Sequence, residues 1–327
     1  ETCRKYAIGY APNSWNALLD FLKKEGYSES TMLKAGLVKQ NKEGGFYDVF
    51  RDRLMFPIKD RKGRVVGFGG RVMNKDDQPK YLNTGDTPVF QKGKELYGLH
   101  ESLENRRELK VIFVVEGYMD AVAMSENNMH NAVATLGVAT NRFHIQKLLQ
   151  IVNEVIFCFD GDDAGRGAAW GALKNVLPVV GDGAEVRFLF LPEGEDPASL
   201  LEKESDEDFK KRSKEALLLS EYFIQRLAEA VGVTSLEKKA SLAAKAMELL
   251  KSMPESSIKK LLEEEVSKAT GLKKEDIQTH SISNKNQKRR YAAVEDSDSV
   301  PEEVQERAFE QTQLGSKALS AVILYPN

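Results

Sequence analysis

Two short stretches of the sequence share one pattern, and that pattern constrains the fold more than any other feature does. VIFVVEGYMD covers residues 111–120, and VIFCFDGDDAGR covers residues 155–166. Each begins with a run of apolar, β-branched and aromatic residues of strand length, breaks at a carboxylate followed by glycine, and continues with a helical pattern. Because strand and helix alternate in this part of the chain, the sequence predicts βαβ units and a largely parallel sheet.

The carboxylates of these stretches are the candidate active-site residues. Open α/β sheets bind ligands at the carboxyl ends of their parallel strands. Glu116, Asp160 and Asp162 follow two such strands, and Asp196 follows the last strand of the series. Carboxylates gathered at one edge repel one another unless cations lie between them, and Mg²⁺ prefers oxygen ligands. The sequence therefore predicts a metal site that could clamp the attacking and leaving oxygens of a phosphoryl transfer.

The roles within this acidic group stay open at this level. Glu116 is either a metal ligand or the group that transfers a proton. Asp120, one helical turn later, is either a second-shell acid or a charge at a helix N-terminus. Gly-Asp turns also end strands in many proteins that bind no metal. For the Asp-x-Asp pair alone that interpretation is equally good, but four acids in the same strand context favour the metal site.

The charge distribution is asymmetric. Residues 51–110 carry 14 lysines and arginines against 9 acids, whereas residues 111–204 carry 6 against 14. A basic surface beside an acidic site suggests that one part holds a polyanion on which the other part acts. Glycine, basic and aromatic residues alternate in the basic segment, which suits phosphates and stacked bases. Ordinary solvated charges would explain such runs equally well if each were considered alone.

Several protein classes are excluded by composition. No apolar run approaches the length of a membrane span and no signal peptide is present, so we expect a cytoplasmic protein with no membrane partner. The only cysteines, Cys3 and Cys158, predict neither a disulfide framework nor a zinc cluster. The chain begins at Glu1 rather than Met, and we interpret it as a fragment of a longer protein.

A chain of 327 residues predicts two or three domains. The fold class is α/β, or α+β overall, and residues 1–50 predict short helices with a packing role, Trp15–Lys24 and Ser30–Ala35. The predicted domains are an amino-terminal mixed α/β basic subdomain at 1–108, a parallel-sheet βαβ domain with the acids at 109–205, a helical bundle at 206–282, and a linker with the truncated start of a further domain at 283–327.

The motifs resemble those of a known family. EGYMD followed by DGDDAGR resembles the toprim domain shared by primases, topoisomerases and some nucleases. Longer segments, among them RDRLMFPIKDRKGRVVGFGGR, PKYLNTGDTPVFQKG and FLPEGEDPASL, resemble the bacterial replicative primases of the DnaG type. The resemblance covers roughly residues 1–205 by motif and the helical region by arrangement. It implies the RNA polymerase catalytic core of such a primase, with a central toprim domain.

The resemblance implies an activity and a set of residues. The activity is nucleotidyl transfer that makes short RNA primers from NTPs on single-stranded DNA during replication, with two or more Mg²⁺ or Mn²⁺ ions and no zinc in this fragment. The implied catalytic residues and metal ligands are Glu116, Asp160 and Asp162, with Asp196 as a further ligand. The positions implied in template or nucleotide binding are Arg53, Arg71, Lys80, Asn83 and Lys92. Where the family often has a second acid after the Asp-Pro pair, this chain has Ala198, so a metal scheme that uses that acid does not transfer.

The resemblance also implies partners. Such primases carry an amino-terminal zinc module and a carboxy-terminal module that binds the replicative helicase in the bacterial primosome. We expect neither to be complete here, with Ala318–Leu324 resembling the first helix of the second module. Two alternatives stay open. Another toprim enzyme, a metal-dependent nuclease or a topoisomerase subunit, would cleave strands, and a non-enzymatic module would bind DNA without metal.

Overall fold

The computed structural model of this chain describes residues 1–272 except 75, 105 and 232–234. The described residues fall into two compact units. The first unit takes residues 1–138 and 196–209, and the second takes 139–195 and the described residues from 210 onward. The predicted segment 283–327, with Ala318–Leu324, lies outside the described residues.

Helices and short strands alternate along most of the described chain. In chain order they are α1 (Thr2–Lys5), β1 (Gly9–Ala11), α2 (Ala17–Lys24), α3 (Glu29–Lys34), β2 (Val38–Gln40), β3 (Phe46–Asp48), β4 (Arg53–Lys59), β5 (Val65–Val72), β6 (Tyr81–Asn83), α4 (Leu99–Leu103), β7 (Val111–Val115), α5 (Tyr118–Glu126), β8 (Ala132–Ala134), α6 (Arg142–Leu149), β9 (Glu154–Phe159), α7 (Asp163–Val176), β10 (Glu185–Phe190), α8 (Pro197–Leu201), α9 (Asp206–Lys214), β11 (Leu217–Leu218), α10 (Leu219–Val231), α11 (Leu236–Leu250) and α12 (Ser257–Thr270).

An antiparallel sheet forms the amino-terminal part of the first unit, with strand order β1-β4-β5-β6. A hairpin joins β4 to β5, and Gly63 takes the positive φ of 83° in its turn, a conformation that residues with a Cβ rarely adopt. In the register, Arg71 of β5 lies opposite Leu54 on one side and Tyr81 on the other. Because Arg53 begins β4, the sheet gathers basic and aromatic residues at one end.

The first unit also contains a parallel βαβ element. β7 and β8 pair in parallel, with Phe113 opposite Ala132, and α5 is the connection between them. Four consecutive residues of β7, from Ile112 to Val115, are buried, as expected for a strand covered on both faces. α5 contacts both β8 and the short helix α8. The chain that follows β7 is therefore fixed by a buried strand on one side and a packed helix on the other.

The second unit repeats this arrangement and adds the helical bundle. β9 and β10 pair in parallel, with Val155 opposite Val186, and α7 connects them. β11 pairs with β10 in the antiparallel sense. The ring of Phe188 in β10 stacks on Tyr222 of α10 at a centroid distance of 4.6 Å. Helices α10, α11 and α12 contact one another, which forms the helical bundle expected from their apolar spacing.

The predicted mixed α/β fold with parallel strand pairs is confirmed. The helix expected from Trp15 begins instead at Ala17, and Trp15 is 63% exposed. The predicted helix Ser30–Ala35 is α3, which Ser28 caps by accepting a hydrogen bond from the amide of Thr31 at 3.2 Å. Among the described residues, none of the helices has the length and apolar character that a membrane span requires.

Candidate functional site

Glu116 and Gly117 occupy the predicted break between a strand and a helix. Glu116 is exposed and follows the last residue of β7 directly, and Gly117 is the N-cap residue of α5. The amide of Gly117 donates to the carboxylate of Asp120 at 2.9 Å. Asp120 is 9% exposed and satisfies an amide that the first helical turn leaves without a partner. Of the two predicted roles of Asp120, this contact corresponds to the acid at a helix N-terminus.

Asp196 begins α8 through reciprocal capping bonds. Its carboxylate accepts a hydrogen bond from the amide of Ser199 at 2.7 Å, and its own amide donates to the hydroxyl of Ser199 at 3.0 Å. Pro197 follows at the first helical position, where a missing amide N–H costs little. The loop after β10 therefore ends in a capped helix, and the cap fixes the backbone of Asp196.

Asp160 and Asp162 flank a glycine that has no room for a side chain. A Cβ on Gly161 would overlap the carbonyl oxygen of Pro192. The amide of Gly161 donates to the carbonyl of Glu195 at 3.0 Å, and its own carbonyl accepts from the amide of Gly194 at 3.3 Å. The turn after β9 and the loop after β10 are thus joined backbone to backbone. Only glycine permits so close an approach.

Asp162 is both a candidate ligand and the N-cap of α7. Its carboxylate accepts a hydrogen bond from the amide of Gly165 at 2.7 Å, and the residue is exposed, whereas Asp160 is half-buried. The next acid, Asp163, forms an exposed ion pair with Arg166 at 2.7 Å. The side chain of Asp163 is 97% exposed and faces solvent.

The predicted acids have the donor chemistry of a divalent cation site. Carboxylate oxygens are hard ligands that suit Mg²⁺ and Mn²⁺. In the part of the chain that the structure describes, however, no group of three or more His, Cys, Asp or Glu residues is placed to hold a metal ion. The carboxylates therefore fit the ion by chemistry, and their assembly into one metal centre stays a prediction.

Arg71 and Lys80 line a groove at the basic end of the antiparallel sheet. The groove has a volume of about 480 Å³. Its lining residues are Leu54, Arg71, Val72, Met73 and Lys80. The ring of Tyr81 lies 5.8 Å from the guanidinium carbon of Arg71 and 5.9 Å from the ammonium of Lys80. Two cations beside an aromatic ring form a surface suited to phosphates and bases.

The side chain of Arg53 is buried in the antiparallel sheet and forms hydrogen bonds there. Only 7% of it is exposed, and its guanidinium donates to the carbonyl of Pro79 at 2.9 Å and to that of Gly70 at 3.3 Å. Burial lowers the pKa of Arg53, and the neighbouring charge of Arg51 lowers it further. The contacts of Arg53 hold β5 to the chain that leads into β6, and the groove residue Lys80 follows Pro79 directly.

Asn83 and Lys92, the other two predicted binding residues, lie in different environments. The side-chain oxygen of Asn83 accepts a hydrogen bond from the hydroxyl of Tyr118, and its amide nitrogen donates to the carbonyl of Leu136 at 2.9 Å. Lys92 lies in the loop after β6, where its backbone amide donates to Asp86 at 3.1 Å. Asn83 therefore connects β6 to the chain around β7 and β8.

A cluster of two aromatic side chains and one basic side chain, in which Trp15 is exposed and the other two are half-buried, was missed by the sequence interpretation, which gave residues 1–50 a packing role. The guanidinium of Arg51 lies 4.1 Å from the ring centroid of Trp15 and 5.5 Å from that of Tyr47. The two rings meet edge to face at 5.6 Å. We call Trp15, Tyr47 and Arg51 the stacking cluster. The signal for it was a tryptophan ahead of the first apolar turn of a helix.

Three family models match the chain. The model described as DNA primase catalytic core, N-terminal domain, matches residues 1–103, and the Toprim-like model matches residues 113–201. The model described as DnaB-helicase binding domain of primase matches residues 220–275. This last match lies in the segment of α10, α11 and α12, whereas the sequence interpretation expected the helicase contact from a module beyond it.

Similar proteins and similar solved structures are also DNA primases. The DNA primase of Pseudomonas aeruginosa is 49% identical over 279 residues, which cover 85% of this chain and 42% of that protein. The crystal structure of a DNA primase domain from Pseudomonas aeruginosa matches with a TM-score of 0.80 and 48% identity, over 85% of this chain and 87% of that one. The structure of the DnaG primase catalytic domain bound to ssDNA matches with a TM-score of 0.75 and 42% identity, over 82% and 86%.

These matches extend over both the amino-terminal sheet and the acidic βαβ region. The chain spans less than half the length of the curated Pseudomonas aeruginosa relative. The segments matched by the family models contain the groove residues, the strand-end acids and the helical bundle. The resemblance predicted from the motifs is confirmed, and the chain belongs to the family of DnaG-type DNA primases.

Proposed function

We propose that this chain is a primase catalytic core that makes short RNA primers from NTPs on a single-stranded DNA template. The observation that carries this proposal is the position of Tyr81 in the first unit. Burial raises its pKa, the charge of Arg71 lowers it, and the charges of Asp120 and Asp196 raise it. The groove residue Arg71 lies beside Tyr81, and Asp120 and Asp196 belong to the same unit.

The roles of the residues follow from their chemistry. Glu116, Asp160, Asp162 and Asp196 are the proposed ligands of Mg²⁺ or Mn²⁺. Bound divalent ions would stabilise the charge on the phosphates and activate the attacking 3′-hydroxyl.

Arg71 and Lys80 neutralise the triphosphate of the incoming NTP from the groove. Arg71 presents a fixed fork of donors and Lys80 a mobile point charge, so Arg71 orients the phosphates and Lys80 attracts them. Lys92, in the loop after β6, is proposed to add a further charge to this binding surface.

The stacking cluster is the proposed contact for template bases. A base stacked on an exposed aromatic ring is stabilised by about 1–3 kcal/mol, and a guanidinium adds attraction to the neighbouring phosphates. Trp15 offers this ring at 63% exposure, and Arg51 supplies the charge. A relative solved with ssDNA supports a single strand as the partner.

The proposed test is primer synthesis with a matched pair of variants. Labelled NTPs, single-stranded DNA and Mn²⁺ or Mg²⁺ are incubated with the wild type, with Asp160→Asn and with Asp163→Asn. Because Asp163 is an exposed acid three residues further on, we expect it to tolerate the change. RNA products that disappear only in Asp160→Asn support the proposal.

The same assay separates the alternatives. Nicked DNA without incorporation of NTPs would favour the nuclease or topoisomerase class. Template binding by the wild type without synthesis under any metal condition would favour the non-enzymatic module.

We further propose that the helical bundle contacts the replicative helicase. The match to a helicase-binding model over residues 220–275 supports this, and Leu261 of α12 is 57% exposed. An exposed leucine that becomes buried against a partner contributes the free energy of removing its apolar surface from water. Leu261→Glu should weaken capture of the helicase, whereas Lys260→Glu, at a neighbour that is also exposed, should not if the contact is apolar.

A further inference from the structure

Tyr118 lies at a junction of the first unit. It is the first residue of α5, two positions after Glu116, and only 3% of it is exposed. Its hydroxyl donates to Asn83, and Asn83 donates onward to the carbonyl of Leu136 at 2.9 Å. Leu136 follows β8. Two hydrogen bonds therefore connect the last residue of β6 with the chain segments that follow β7 and β8.

The residues packed around Tyr118 restrict the position of its ring. A Cβ on Gly69 would come within 2.6 Å of the ring and 2.8 Å of the hydroxyl, so the glycine of β5 makes room for both. The ring stacks on Phe56 at a centroid distance of 5.3 Å and meets Tyr97 edge to face at 4.9 Å. Such close packing holds the hydroxyl of Tyr118 against Asn83. Asn83 is the strand partner of Gly69.

The hydrogen-bond directions are fixed by chemistry. The carbonyl of Leu136 can only accept, so the side-chain nitrogen of Asn83 faces it and the side-chain oxygen faces Tyr118. Burial raises the pKa of Tyr118 well above the ordinary value for tyrosine, and the hydroxyl therefore keeps the proton that it donates. Both polar ends of the Asn83 amide are thus used within the protein.

We propose, on the basis of the primase function above, that Tyr118 and Asn83 form a strap that positions the basic groove relative to the strand end bearing Glu116. Arg71 lies opposite Tyr81 in the sheet, and Asn83 ends the same short strand. A shift of β6 against α5 would move the cations that hold the triphosphate away from the acid. Tyr118 and Asn83 are positioning residues, and Asn83 acts on the nucleotide through this strap.

The first test compares two tyrosines of the same aromatic cluster. Tyr118→Phe removes the hydroxyl that bonds Asn83. Tyr97→Phe removes a buried hydroxyl for which the described residues offer no hydrogen-bond partner. A misplacement near 1 Å lowers turnover by about 100-fold, so we expect kcat/KM for NTPs to fall about 10- to 100-fold in Tyr118→Phe. Tyr97→Phe should stay within about twofold of the wild type, and binding of single-stranded DNA should be unchanged in both.

The second test asks whether the two residues act as one unit. Asn83→Ala and the double variant Tyr118→Phe/Asn83→Ala are assayed with the singles. If the two residues form a strap, kcat/KM of the double variant should be no lower than that of the less active single variant, because either substitution alone breaks the strap. Multiplied losses would show that Asn83 acts on the nucleotide independently and would overturn the inference. Thermal unfolding of each variant checks that the fold is retained, and Asn83→Ala carries the test if Tyr118→Phe does not fold.

The outcomes keep this inference apart from the proposed function. An inactive wild type would contradict the primase proposal itself. An active wild type with Tyr118→Phe at the same kcat and KM would overturn the strap alone.

Discussion

At the scale of single residues, the strand-end acids have a second use as helix caps. Asp162 accepts the amide of Gly165, and Asp196 accepts that of Ser199. Each carboxylate has two oxygens, so a cap bond at one oxygen is compatible with a cation at the other. Different substitutions can therefore separate the folding role of these acids from their chemical role. An amide side chain keeps an oxygen that can cap the helix, but it lacks the negative charge that would bind a cation.

Asp162 allows the two roles to be separated. Asp162→Asn keeps an oxygen for the amide of Gly165, so the free energy of unfolding should change little while primer synthesis is lost. Asp162→Ala should lose synthesis and also about 1 kcal/mol of stability, the usual value of an N-cap. Urea unfolding and primer synthesis on both variants provide the measurement. Full synthesis by Asp162→Asn would show that its charge is not needed.

The effect of adding a methyl group at Gly161 can be compared with the effect of the same change at a second glycine. Gly161→Ala places a methyl group against the backbone of Pro192. We expect a loss at the upper end of the about 1–3 kcal/mol typical of overpacking, together with loss of activity. Gly167 in α7 has no atom within 4 Å of the position of a Cβ, so Gly167→Ala should stabilise the helix by roughly 0.5–1 kcal/mol. Equal melting temperatures for the two variants would contradict this account.

Single residues also mark the limit of prediction from sequence. The positions of Glu116, Asp160 and Asp162 at strand ends follow from a local pattern of strand, acid and glycine, and the structure has them there. The contact between Asn83 and Tyr118 joins residues 35 positions apart, and no local pattern encodes it. The exposure of Trp15 was missed because a large aromatic residue near a helix is usually buried.

At the scale of elements, the length of a helix or strand decided whether the sequence could predict it. The apolar runs that begin the stretches 111–120 and 155–166 form the strands β7 and β9, as predicted. The two-residue strand β11 and the five-residue helix α8 are too short for a periodicity to appear. β11 is held in place instead by distant contacts, since the guanidinium of Arg187 donates to the carbonyl of Ala216 at 3.3 Å.

The attachment of α12 within the second unit gives an element-scale prediction. The carboxylate of Asp182, in the loop before β10, accepts the first amides of α12 from Ser257 at 2.9 Å and Ile258 at 3.0 Å. These two bonds hold the pKa of Asp182 below its ordinary value of 3.8. A carboxyl with a lowered pKa stabilises the fold above its unfolded pKa, and this contribution disappears as the pH falls through the folded value.

Asp182→Ala should therefore lower the urea midpoint at neutral pH, and the gap to the wild type should narrow below pH 3.8. The control is Glu265→Ala, which removes an exposed ion pair with Lys268 on the same helix and should change the midpoint little. A gap that stays constant between pH 7 and pH 3 would show that ionisation of Asp182 is not involved.

At the scale of the whole molecule, the charge distribution predicts how the template binds. The net charge of −3 would repel DNA, so binding depends on the local excess of lysine and arginine in residues 51–110. Each phosphate contact to a single strand contributes about 0.7 to the slope of log K against log salt concentration. A core with few such contacts should bind single-stranded DNA weakly, with an affinity that falls steeply as salt is added.

Arg51→Ala should reduce this salt slope by about 0.7, because it removes the cation of the stacking cluster. Arg64→Ala is the matched control, since its side chain is engaged with Asp60 at 2.6 Å in the β4–β5 turn. Fluorescence anisotropy with a labelled oligonucleotide at several salt concentrations measures both slopes. Identical slopes for Arg51→Ala and the wild type would place the template elsewhere.

The cap that Asp162 forms on α7 has an electrostatic consequence for cation binding. α7 has 14 residues, and the aligned peptide dipoles of such a helix place about half a positive charge at its first turn. At that turn the carboxylate of Asp162 accepts the amide of Gly165, so the helix cap itself needs no cation. The partial positive charge at the helix N-terminus would repel a cation bound near Asp162, which would limit the affinity of the cation and favour its exchange. The protein should accordingly keep its fold in a chelator and regain activity as soon as metal is returned.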